Sequence, residues 1–159
     1  MPEHALIIAI RLLDGRYHGA RDWPPGPFRL FQALVAAAHT GRTPTENELA
    51  ALRWLEQLAP PVIAAPTARA YDTATTYYVP RNGGDTTGGN LARAAQKRDP
   101  KHSKPILFDP AQPFLYLWTF TEGNDHAATL ATLAERLYQF GRSVDMAFAD
   151  AVKPELLKD

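Results

Sequence analysis

No cysteine occurs anywhere in the 159 residues. That excludes a disulfide framework, a thiolate metal site and a cysteine nucleophile, and it fits a protein of the cytoplasm. Neither sign of charge is in excess, because 17 Lys and Arg balance 17 Asp and Glu. A neutral chain is not a wholly basic nucleic-acid clamp, so contact with RNA or DNA has to come from a local patch. Long apolar runs are missing too. Ala5 to Ile10 is far too short to span a bilayer, and Met1-Pro2-Glu3-His4 lacks the basic segment of a signal peptide, so no membrane contact is expected. His4, His18, His39, His102 and His126 show neither H-x-x-x-H nor HExxH spacing, and no metal site is expected. The chain also has no P-loop, dinucleotide fingerprint or G-x-S-x-G. Gly83-Gly84 and Gly88-Gly89 lack the Lys-Ser/Thr of a phosphate cradle, so no cofactor and no nucleotide hydrolysis are expected.

What is present is an ordinary globular composition, 45% apolar and 21% charged, in a length that suits one domain over 1–159. Ala5 to Leu13 is short, apolar and bounded by Asp14-Gly15, which predicts a buried strand. Phe28, Phe31, Leu34, Val35 and Ala38 recur at helical spacing behind Pro27, and Gly41 ends that helix. Thr45-Glu46-Asn47-Glu48 matches a capping box, followed by a Leu49, Leu52, Leu55, Leu58 stripe and a stop at Pro60-Pro61. Val62 to Val79 is β-like, most clearly at Thr75–Val79. A flexible basic loop is expected at about 82–104. Strands follow at Ile106–Phe108 and Phe114–Phe120. A helix capped by Asp125 places Leu130, Leu133, Leu137 and Tyr138 inward and ends at Gly141. The alternation from Val144 to Ala149 predicts a last strand. The order implies an α+β fold of the ferredoxin-like (RRM-like) split βαβ class: an antiparallel sheet, helices on one face and one inserted helix.

Between the first strand and helix stands Gly15-Arg16-Tyr17-His18-Gly19, then Asp22-Trp23-Pro24-Pro25-Gly26-Pro27-Phe28-Arg29-Leu30. This stretch is stiff, aromatic and positive at its ends, a composition suited to holding a nucleic-acid strand. With Leu58-Ala59-Pro60-Pro61, Tyr78-Val79-Pro80-Arg81-Asn82, Ile106–Pro110 and Phe140-Gly141-Arg142-Ser143, it resembles the N-terminal half of a CRISPR effector subunit. That family is the fused RAMP protein of type I-U (I-G) systems, a Cas-five-like domain followed by a Cas-six-like domain. The resemblance implies an antiviral-defence role in a surveillance (Cascade) complex. There the domain would grip the 5′ handle of CRISPR RNA, with other effector subunits and a separate processing RAMP domain as partners. The chain stops at Asp159, where the processing half would begin, and lacks that half's Gly-rich loop, so cleavage is not the first expectation. An apolar patch is expected where the second half or another subunit would pack.

Candidate RNA contacts are Arg16, Tyr17, His18 and Arg29 in and after the aromatic stretch. Lys97, Arg98, Lys101, His102 and Lys104 in the basic loop join them, with Arg142 at the later turn. Lysines and arginines would follow phosphates and make affinity salt-dependent. Tyr17 and His18 can stack on unpaired bases, or pack beneath the loop and bond backbone groups. Tyr77 and Tyr78 point to opposite faces of a strand, so one can face a base. Two other readings stand beside RNA holding. One is a metal-independent endoribonuclease with His18 or His102 as its base, aided by Arg16 or Arg29. The other is a protein-interaction module that uses its sheet face.

Overall fold

The computed structural model describes residues 4–19, 22–80 and 98–152. In chain order they form β1 (His4–Leu12), β2 (Arg16–Tyr17), α1 (Pro27–His39), α2 (Glu46–Gln57), β3 (Val62–Ala64), β4 (Ala68–Ala70), β5 (Thr75–Pro80), β6 (Arg98–Ser103), β7 (Ile106–Phe108), β8 (Phe114–Phe120), α3 (Asn124–Ala134) and β9 (Ala147–Val152). The main sheet has the order β3-β8-β1-β9, with every pairing antiparallel. This is an α+β architecture consistent with the expected ferredoxin-like class. Two smaller sheets stand beside it, β2-β7-β4 and the β5–β6 hairpin.

Alternation explains which face of the main sheet is covered. Leu6, Ile8, Ile10 and Leu12 of β1 are buried, as are Phe114, Tyr116, Trp118 and Phe120 of β8. They meet Leu30, Leu34, Ala37 and Ala38 of α1, Ala51, Leu52 and Leu55 of α2, and Ala127, Leu130 and Leu133 of α3. On the other face, register aligns Val62, Leu117, Ile7 and Val152 in one row across all four strands. That row is aliphatic, with Phe148 half-exposed beside it.

The capping box on α2 forms as its spacing predicts. Glu48 N–H donates to Thr45 Oγ1 at 3.3 Å, and Thr45 N–H donates to Glu48 Oε2 at 2.9 Å. Arg42 and Arg136 close on the same buried carboxylate.

Four local expectations are corrected. Phe28 is 69% exposed, because it stands two residues before Leu30 and so projects from the far side of α1. The third helix ends at Ala134, and the turn that follows buries Leu137 and leaves Tyr138 half-exposed. The last strand starts at Ala147, with Val144, Met146 and Phe148 on its exposed side. Finally, Arg98–Ser103 do not belong to a loop. They form β6, because the Thr- and Tyr-rich β5 supplies a hydrogen-bonding partner that composition alone does not reveal. Residues 82–97 of the basic segment, Lys97 included, lie outside the described residues, and Lys104 follows β6.

Candidate nucleic-acid interface

The loop after β2 and the turn before β9 meet on one carboxylate. Asp145 is 2% exposed and lies at the same strand parity as inward Ala147 and Ala149. Its Oδ1 accepts from the His18 backbone N–H at 3.2 Å and lies 2.7 Å from His18 Nδ1. Its Oδ2 accepts from the Arg142 backbone N–H at 2.9 Å. Backbone bonds from Phe140 N–H to Asp145 O and from Asp145 N–H to Arg142 O, both 2.9 Å, complete the turn. A carboxylate only accepts, so the ring donates to it through Nδ1. Among the described residues Nε2 has no partner.

Two glycines make the approach feasible. Gly141 has φ +117°, and a Cβ there would stand 2.8 Å from Asp145 Oδ2 and 3.0 Å from Tyr17 Cε2. Gly19 lies flat on the tyrosine, where a Cβ would fall 2.2 Å from the ring.

Tyr17 is fully buried, so of its two expected roles the structure has the one beneath the loop and not the one stacked on a base. Its ring packs edge-on against Trp23 and near Phe140, with the Arg29 guanidinium 5.9 Å from the ring centre. Burial pushes its hydroxyl up to about 12, against the opposing pull of Arg29. The hydroxyl has no hydrogen-bond partner among the described residues. The other deeply buried tyrosine, Tyr116, donates to Pro25 O at 2.7 Å. Arg29 also approaches Asp22 at 3.9 Å, and exposed Arg16 approaches Asp14 at 3.8 Å.

The second group of predicted residues occupies the hairpin. Lys101 pairs across from Tyr77, His102 from Thr76 and Arg98 from Pro80. His102 Nδ1 lies 3.0 Å from Thr76 Oγ1. Lys101, His102 and Lys104 are exposed, and so is Tyr78. Arg142 links the two groups, since its Nη1 donates to Tyr77 Oη at 3.0 Å. The structure therefore brings His18 and Arg142 together on Asp145, with Tyr17 beside them and Arg29 over its ring, and Arg98, Lys101 and His102 together on the hairpin. Arg16 stands apart on β2, with Leu107 of β7 as its cross-strand partner.

Asp145 was not among the predicted residues. The available signal was its parity: an acid in register with small inward residues must find donors. Among the described residues no group of three or more His, Asp or Glu is placed to hold a metal ion, and no helix is long and apolar enough to cross a membrane.

No curated protein matches the chain. The residues that build the Asp145 clasp and the hairpin fall inside a single family match, from 3 to 158, and by that match the chain belongs to the CRISPR-associated GSU0054 family.

Proposed function

We propose that this CRISPR-associated protein binds CRISPR RNA at its 5′ handle as a non-catalytic subunit of a type I surveillance complex. The observation that carries the reading is the Arg142–Tyr77 contact at 3.0 Å. It links the hairpin that carries Arg98 and Lys101 to the turn that, with His18, closes on Asp145, so a neutral chain gathers several cations along one stripe in this reading. Exposed lysines and arginines on a strand can follow a phosphate backbone, with counterion release as the driving term. Tyr78 offers an exposed ring surface on that stripe. The fused family's processing half and the other effector subunits are the partners this reading implies.

A second reading is favoured by one specific contact. A buried carboxylate that orients a histidine and leaves Nε2 open is the arrangement of a general base. In metal-independent cleavage of RNA, His18 Nε2 would take the proton of a 2′-hydroxyl, with a nearby guanidinium stabilising the phosphorane.

One experiment separates these readings: a salt-titrated gel shift with labelled CRISPR repeat RNA, run in parallel on denaturing gels. Binding that weakens steeply with salt and leaves the RNA intact supports the holding subunit. Cleavage in the presence of chelator, abolished in His18→Ala with binding retained, supports the nuclease. No binding at low salt sinks both.

A further inference from the structure

Between α1 and the segment that follows α3 lies a cavity of about 170 Å³. It exists because α1 turns alanines toward it: Ala33, Ala36 and Ala37 form its floor, where larger side chains would have filled the space. Arg29, Gln32 and Gln139 stand around it, with Tyr138 alongside. Gly141, the glycine beside Asp145 and Tyr17, is part of the lining too, so the cavity borders the clasp.

Its chemistry is selective. Exposed Gln32 of α1 and half-buried Gln139 bring two side-chain amides to its rim. Each offers both donors and an acceptor. A phosphate would be met by converging cations, yet the lining holds a single guanidinium against two carboxamides. That combination matches a planar ligand whose edge carries donors and acceptors together, as a nucleobase does. The half-exposed ring of Tyr138 supplies a stacking surface. Size agrees as well, since a cavity of roughly 150 Å³ accepts a benzene ring.

We propose that this cavity takes one unstacked nucleobase of the bound single strand, read on its edge by Gln32 and Gln139 and flanked by Tyr138. The inference rests on the RNA-holding reading and adds to it a single position of base discrimination. Arg29, at the lip, meets the phosphate or the purine edge of that same nucleotide.

The test is fluorescence anisotropy with CRISPR repeat RNA in which single nucleotides are replaced one at a time by abasic ribose. One position is expected to lose about tenfold to a hundredfold in affinity, the range for one stacked base. In Ala36→Trp, which fills the cavity from an exposed helical position, the intact and abasic strands should bind equally, both at the weakened level. The double variant Gln32→Ala/Gln139→Ala leaves the fold untouched and should lose discrimination among the four bases at that position. The proposal is overturned if RNA binds but every abasic strand matches the intact one, or if both variants bind intact RNA as well as the parent chain does. Absence of any RNA binding by the parent chain removes the RNA-holding reading itself, and this inference with it.

Discussion

Around Asp145, two backbone N–H groups and a histidine ring converge on one carboxylate that is almost sealed from water. On the β5–β6 hairpin, Lys101 and His102 stand exposed and pair with neutral cross-strand residues. Both regions are built from His, Arg and Tyr, and both read as RNA contacts in the sequence. Burial separates their roles. A polar group without water must be matched by a partner or cost the fold about 1–3 kcal/mol, so the clasp is structural before it is anything else. An exposed cation is screened and contributes little to folding, which leaves it free to meet a ligand.

The strongest way to break this contrast is Asp145→Ala. It orphans the His18 ring and two backbone donors, and we expect a loss of about 3 kcal/mol in urea denaturation. A loss under about 1 kcal/mol would mean that the clasp is ornamental. Gly141→Ala should cost about 2 kcal/mol, because it combines a left-handed backbone position with a Cβ pressed on Asp145 and Tyr17.

The hairpin should behave in the opposite way. Arg98→Gln with Lys101→Gln is expected to change stability by less than about 0.5 kcal/mol. The same double variant should reduce the salt dependence of RNA binding by about two on a log–log slope. If it unfolds the protein instead, the division between the regions fails.

Two pH effects sharpen the comparison. The backbone N–H of Thr45, then Arg42, holds the Glu48 carboxyl below the usual carboxylate range. Its contribution is complete above the unfolded value and disappears as pH falls through the lower folded one, so Glu48→Gln should flatten the acid side of the stability profile. Tyr17 works on the alkaline side. Its folded value of about 12 stands above the ordinary 10.0, so the unfolded chain loses that proton first and stability falls across this interval. Tyr17→Phe should remove Tyr17's share of that fall. At neutral pH it should shift stability by no more than about 1 kcal/mol, because the hydroxyl has no described partner to lose.

Much of the frame was readable from residue order. The β1 and β8 strands, the proline at the start of α1 and the Thr45–Glu48 box follow local rules of alternation and capping, which operate within a few residues. The candidate site was legible only in part. His18 and Arg142 were singled out, but not that they share Asp145, which lies 127 residues from His18. Tyr17 was left between a base and the core although its ring is core, and Arg98–Ser103 were assigned to a loop although β5 captures them. Both differences arise from partners distant in sequence.

Composition and local pattern determined the α+β class and the neutral charge with its local basic segments, and the resemblance of a few motifs pointed to a CRISPR-associated protein. Only the tertiary structure decided which polar residues are buried and which are free, because burial depends on what the rest of the chain packs against each side chain. The cavity beside Tyr138 is of the same kind: three alanines become a floor only when a second segment closes over them.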